Sequence, residues 1–190
     1  MKILSRILFR ENEVFNFFFD HLVDEQGNEV KEYFVLEPKK IRPDRVAGAA
    51  ILALVGGKIG LVEIYRPALR RYCWELPHGF INENESHVAA AVRELKEETG
   101  IIVTETSCTH LGFIGPDPGI IGATLSIYYS ESGRETEDAI SELGLKQVKF
   151  FEVINIIEMI DNSVIIDAIT LAALLKYLSY TGRIKWDLSR

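Results

Sequence analysis

The chain has 190 residues, 28 acidic and 21 basic, for a formal net charge of −7 with 47% hydrophobic residues. That length suits one domain with a short extension, able to bury a core without staples. The acidic balance excludes a general nucleic-acid binder, which draws on clustered Lys and Arg, and two cysteines, Cys73 and Cys108, are too few for a disulfide scaffold.

At the start of the chain, Arg6, Arg10 and Glu11 interrupt the apolar residues before a signal-peptide core forms, so a cytoplasmic location is expected. Residues 3–9, 14–23 and 30–37 are rich in Phe, Val, Ile, Leu and Tyr and read as strands. The turn chemistry of Asp24-Glu25-Gln26-Gly27-Asn28 pairs the last two as a hairpin. Pro38 and Pro43 then punctuate a basic connector. This divides an N-terminal β-strand extension, 1–40, from a main domain, 41–190.

Val46–Val55 and 59–65 flank Gly56-Gly57, a second hairpin signal. Residues 85–99 predict the first helix, with Ala89, Ala90, Val92 and Leu95 as packing face and Gly100 as stop. Strands are expected at 101–114 and 121–130, then an acidic loop at 131–142 and a strand at 146–152. A short helix near 153–160 and a longer one near 163–180 close the chain, the latter with Ile165, Ile169, Ala172 and Leu175 at helical spacing. Its apolar run, 164–178, carries Asp167 and Lys176 and is too short to span a bilayer, so no membrane partner is expected. Strands before, between and after helices give an α/β protein of the α+β type, a mixed β-sheet sandwiched between helices.

One segment carries chemistry. Glu94, Glu97 and Glu98 stand at i, i+3 and i+4, so a helix sets three carboxylates on one face. Two like charges about 6 Å apart repel by roughly 3 kcal/mol at an effective dielectric of 20. Arg93 balances part of this charge, yet one residue from Glu94 it is expected to point elsewhere on the helix. A hard divalent cation suits an all-oxygen cluster, and a solvated face mixed with Lys96 is the plainer alternative.

The flanking residues decide between the two. Residues 79–101, GFINENESHVAAAVRELKEETGI, resemble the Nudix box, Gly-x5-Glu-x7-Arg-Glu-U-x-Glu-Glu-x-Gly-U with U aliphatic. Gly79, Glu85, Arg93, Glu94, Leu95, Glu97, Glu98, Gly100 and Ile101 fill its fixed positions. The resemblance implies a Nudix fold and hydrolysis of a nucleoside diphosphate linked to another group, with Mg²⁺ or Mn²⁺ as cofactor. It implies Glu94, Glu97 and Glu98 as metal ligands with the backbone carbonyl of His78, and Glu85 and Arg93 as the pair that orients them.

Beyond the box, LVEIYRPAL (61–69), WELPHG (74–79) and IIDAITLAALL (165–175) resemble the ADP-ribose pyrophosphatase and nucleotide-sugar hydrolase subgroup. That subgroup implies cleavage of ADP-ribose to AMP and ribose 5-phosphate, and a homodimer formed through the N-terminal strands. It also implies Arg66 as a phosphate contact, Pro116 in a substrate loop, with Pro118-Gly119 two residues on as the alternative register, and a loop glutamate acting as base or extra ligand. Glu142 is the nearest candidate for that glutamate and Glu137 the second. Where many relatives carry an acidic residue after Pro-Gly, this chain runs Ile120-Ile121-Gly122-Ala123. A GDP-sugar, another nucleoside diphosphate derivative, or a catalytically silent ligand-sensing Nudix domain are the alternatives.

The charge surplus is local. Residues 81–100 hold five acids and two bases, and 131–142 hold five acids and one base, while acids and bases balance elsewhere. The four histidines, at 21, 78, 87 and 110, show no metal-ligand spacing in their side chains.

Overall fold

The computed structural model describes residues 1–136 and 143–184. The chain divides into two compact units, one of Met1–Ala47 with Gly115–Leu125, the other of Gly48–Ile114 with the residues from Ser126 onward.

In the first unit, three apolar-rich stretches form an antiparallel sheet of β1 (Lys2–Glu11), β2 (Phe15–Val23) and β3 (Glu29–Pro38) in that order. Asn12 closes the first turn by accepting from the Val14 and Phe15 amides, and Asp24 closes the second by accepting from Gln26 and Asn28. The Phe9 ring stacks on Phe19 at 4.3 Å, with Phe17 and Phe34 at 6.3 and 6.2 Å. Arg6 grips the buried Asp20 through two 2.7 Å bonds, a fork that compensates the desolvated carboxylate. Residues 115–125 hang on β3: Leu36 N donates to Ile120 O at 2.9 Å and Gly122 N to Leu36 O at 2.8 Å. Arg45 donates to both Glu37 and the Gly122 carbonyl.

The second unit is built on β4 (Val46–Val55), which enters it at Gly48 and whose residues are almost all buried, and β5 (Lys58–Arg66), joined by the Gly56-Gly57 turn. Next to β5 run β6 (Arg71–Glu75) and, later in the chain, β12 (Leu145–Phe151), both antiparallel to it. The three-residue β7 (His78–Phe80) pairs with β4. Helix α1 (His87–Thr99) follows, capped by Ser86 Oγ accepting from Ala89 N at 3.0 Å and ended by Gly100 at φ 70°, where a Cβ would be strained. Then come β8 (Ile101–Ile102), a short 3-10 helix at Glu105–Ser107, β9 (Thr109–Ile114), β10 (Thr124–Ser130) and β11 (Arg134–Glu135). Helices α2 (Val153–Asp161) and α3 (Ala168–Tyr180) complete the described chain. The large sheet has the order β12-β5-β4-β10-β9, and Leu52, Ile59, Leu61, Leu95, Ile127 and Leu174 are fully buried in this unit. No helix among the described residues is long and apolar enough to cross a membrane.

This is the mixed α+β architecture that the sequence predicts, with local corrections. The sequence pattern does not predict β6 and β7: RYCWE and HGF are too short and too close to Pro67 and Pro77 to show a strand period. The expected strand at 101–114 is broken by the 3-10 turn, and β11 lies inside the expected acidic loop, paired with β8. The expected helix at 163–180 starts only at Ala168, because Ser163 sits at φ 54° and Asp167 takes the capping position.

Leu95 ties α1 to the core, so Leu95→Ala removes buried methyl groups and leaves a cavity. The expected cost is about 2–5 kcal/mol, read as a lower urea midpoint at unchanged slope.

Candidate functional site

The chain reaches α1 through β7 and the loop that follows it, and this path brings Gly79, Phe80 and Glu85 alongside the helix. The centre of the arrangement is Arg93. Its Nε and Nη2 donate to the two oxygens of Glu85 at 2.9 and 3.1 Å, and Nη2 also donates to the Phe80 carbonyl at 2.8 Å. Its Nη1 donates to Glu94 at 2.7 Å and to Glu97 at 2.8 Å. The guanidinium therefore curls back over its neighbours, against the expectation that it points elsewhere. A long side chain reaches where its Cα direction does not aim, and three carboxylates attract it. Glu85 also accepts from Asn82 N at 2.9 Å, which fixes the loop before the helix.

Gly79 lies directly beneath Glu94. A Cβ there would fall 2.3 Å from Glu94 Oε1, so a side chain at this position would push the carboxylate out of its place over the strand. The three helix acids differ in surroundings: the Glu94 side chain is largely covered, Glu97 is 55% exposed, and Glu98 is 6% exposed. With Glu94 and Glu97 drawn onto Arg93, no three His, Cys, Asp or Glu side chains among the described residues converge to hold a metal ion. As donors, their hard oxygens suit Mg²⁺ or Mn²⁺, and the cradle over Gly79 keeps Glu94 at the strand rather than in solvent.

A second arginine serves the same region. Arg66 at the end of β5 donates through Nε to Glu75 at 2.9 and 3.0 Å, and Nη2 bonds the same carboxylate. Glu75 is 3% exposed, and Arg66 is 37% exposed. The Glu75 hydrogen bonds outweigh burial in raising the Arg66 pKa, and the charges of Asp167 and Glu98 raise it further. Glu75 is a site residue that the motif does not mark. No sequence pattern marks it: RYCWE is too short to show a strand period, and only the pairing of β6 with β5 brings this acid to Arg66.

The His78 ring donates through Nδ1 to Leu76 O at 2.8 Å, because a carbonyl can only accept. Its Nε2 is thereby left facing Arg66 Nη2 at 3.5 Å. His78 itself pairs with Ala50 in the β7–β4 ladder. The structure thus gathers Arg66, Glu75, His78, Gly79, Glu85, Arg93, Glu94, Glu97 and Glu98 in one unit. Pro116 belongs to the other unit, in the Gly115–Leu125 segment. Glu137 and Glu142 lie outside the described residues.

Arg93 holds the Glu85 carboxyl below its ordinary value of 4.5, chiefly by hydrogen bonding, against a smaller opposing effect of burial. A lowered folded-state value stabilises fully above the unfolded value and less as pH falls through the folded one. Glu85→Gln should therefore lose on the order of 1 kcal/mol near neutral pH. The difference from the unaltered chain should shrink below about pH 4.5, as followed by urea unfolding across a pH series.

Comparison with known proteins places these residues in a familiar setting. The NUDIX domain profile matches residues 43–165, more than half of the chain. An uncharacterized Nudix hydrolase of Schizosaccharomyces pombe is 36% identical over 89 residues, 46% of this chain and 42% of that protein. The ADP-sugar pyrophosphatase of Mus musculus is 42% identical over 67 residues, 35% of this chain and 30% of that protein. The matches thus span less than half the length of either relative. Among solved structures, that of an ADP compounds hydrolase aligns over 96% of both chains with a TM-score of 0.76 at 20% identity, a likeness of fold. The domain match, over a segment that contains the whole carboxylate helix and its arginine, shows that the chain belongs to the Nudix family.

Proposed function

We propose that the chain is a Mg²⁺-dependent pyrophosphohydrolase that cleaves the diphosphate of a nucleoside diphosphate sugar, with ADP-ribose giving AMP and ribose 5-phosphate. The observation that carries this reading is the carboxylate set of α1, with Glu94 and Glu97 ordered by Arg93 above Gly79, in the same unit as Arg66 and its buried partner Glu75. The local likeness to the mouse protein supports the substrate class.

Glu94, Glu97, Glu98 and the His78 carbonyl would hold the metal. Bound there, Mg²⁺ supplies neutralisation of the diphosphate and activation of water. The protein's own part is positioning. Arg93 keeps Glu94 and Glu97 on one side of the helix, and Glu85 keeps Arg93 in place through two bonds. Glu75 occupies Nε and Nη2 of Arg66, which leaves the Nη1 donors for a phosphate oxygen. Glu142, or Glu137 in its place, is the proposed loop carboxylate that takes a proton or adds a ligand, and Pro116 the proposed substrate-loop residue.

The same reading includes a homodimer through the N-terminal sheet. Ile3, Ile7 and Phe9 on β1 are 47–61% exposed on an edge strand, an apolar surface that a second copy would cover. Charge introduced by Phe9→Asp should shift the mass measured by sedimentation from dimer to monomer.

Glu98→Gln keeps the shape of a buried side chain and removes its charge. Turnover of ADP-ribose with Mg²⁺ should fall by at least ~100-fold, a barrier increase of about 3 kcal/mol, with the unfolding midpoint retained. Near-normal turnover by this variant would remove the carboxylate set from the mechanism. A panel of ADP-, GDP- and UDP-sugars, run in ¹⁸O-water, identifies the preferred substrate and the phosphorus attacked.

A further inference from the structure

The turn Glu75-Leu76-Pro77-His78 links the carboxylate that anchors Arg66 to the strand that opens the motif. Its backbone groups are tied in three directions. Leu76 O accepts from the His78 ring, and Pro77 O accepts from Ile51 N of β4 at 3.2 Å. Leu76 N donates to Thr170 Oγ1 on α3 at 2.9 Å, a buried bond between residues 94 apart in sequence.

Thr170 is fully buried. Its hydroxyl has a single hydrogen, and because Leu76 N can only donate to it, that hydrogen goes to Asp167 Oδ2 at 2.8 Å. Thr170 N donates to the same oxygen at 2.7 Å, the ordinary capping bond of α3. The cap needs only the backbone amide at this position. The hydroxyl is surplus to capping, and its one use among the described residues is to accept the Leu76 amide with Asp167 polarising it.

We propose that Thr170, oriented by Asp167, is a positioning residue that fixes the Glu75–Leu76 peptide and, through the Glu75 carboxylate, aims Arg66 at an anionic phosphate. The role rests on the assignment of Arg66 to phosphate made above. Thr170 itself touches no substrate. Two features support the linkage. Glu75 has little freedom once its own peptide is pinned, and the charge of Asp167 acts on Arg66 together with that of Glu98.

The test uses Thr170→Val, which keeps shape and removes the acceptor, and Thr170→Ser, which keeps the acceptor. Binding of inorganic pyrophosphate with Mg²⁺ is measured by calorimetry, and KM and kcat for ADP-ribose by steady-state turnover. T170V should weaken pyrophosphate binding and raise KM about tenfold, equivalent to ~1.4 kcal/mol, while kcat changes little. T170S should restore both to within about twofold of the unaltered chain. In a Glu75→Leu background, where Arg66 has lost both acceptor oxygens, T170V should add no further loss.

A T170V chain that unfolds earlier yet keeps its pyrophosphate affinity and KM would show a merely structural hydroxyl and overturn the proposal. Additive losses in the double variant would overturn the route through Glu75. If T170V fails to fold, Asp167→Asn, which retains the cap, should weaken pyrophosphate binding about threefold, and unchanged binding there overturns the role. Failure of the unaltered chain to hydrolyse any nucleoside diphosphate would defeat the functional reading alone, since the pyrophosphate arm still decides the positioning role. Absence of pyrophosphate binding by the unaltered chain would overturn both.

Discussion

The organising interaction is the fan of hydrogen bonds from Arg93. Without a cation among them, Glu94 and Glu97 on one face of α1 would repel each other and Glu98, and the helix would favour rotamers that scatter them. One guanidinium solves this by reaching Glu94 and Glu97 with the same nitrogen and Glu85 with its other edge. Bidentate binding to Glu85 matters most, because Glu85 is held by the loop and not by the helix. The loop thereby fixes Arg93, and Arg93 fixes the helix acids. The Phe80 carbonyl adds a fourth anchor from the strand side, and the missing Cβ of Gly79 admits Glu94 close to that strand.

The same principle governs the other half of the site. Glu75 is nearly as covered as a core leucine, and a carboxylate in that position survives only with a charged partner and satisfied lone pairs. Arg66 supplies them from the neighbouring strand through an antiparallel register that sets Arg66 opposite Arg71. The turn after Glu75 cannot drift, since β4, α3 and the His78 ring each take one of its backbone groups. Both arginines are therefore held by acids before any ligand arrives. Such preorganisation lowers the ordering cost of binding an anion.

What the sequence makes legible follows the range of the interaction. The three helix glutamates follow from spacing alone, because i, i+3 and i+4 fix a common face whatever the tertiary context. The N-terminal strands and the Gly56-Gly57 hairpin are equally local, and they fold as their apolar patterns predict. Arg93 is different: its helix position sets where its Cα stands, and only Glu85 and Phe80 from the preceding loop decide where its head goes. Glu75 and Thr170 are further removed. Nothing within ten residues of Thr170 reveals a bond to Leu76, and a hydroxyl one turn into an apolar helix reads as an ordinary packing residue. β6 and β7 stay hidden for a related reason. They are strands because β5 and β4 offer them edges, not because five or three residues carry a period.

The placement of charge separates acids with a structural task from acids with room for another. In the first unit Asp20 is met by Arg6, Glu37 by Arg6 and Arg45, and Glu11 by Lys39, so these acids sit within local neutrality. Around α1 the ratio differs: Glu75, Glu85, Glu94, Glu97 and Glu98 share two guanidinium groups, Arg66 and Arg93. Such an excess would repel a diphosphate outright. A cation held by the cluster would offset this repulsion for the substrate proposed above, and Arg93 keeps Glu94 and Glu97 assembled in its absence. An arginine that neutralised the cluster fully would leave no charge with which to bind that cation, whereas none at all would let the helix acids disperse. One guanidinium shared among three carboxylates meets both conditions, which ties the acidity of residues 81–100 to the chemistry proposed for them.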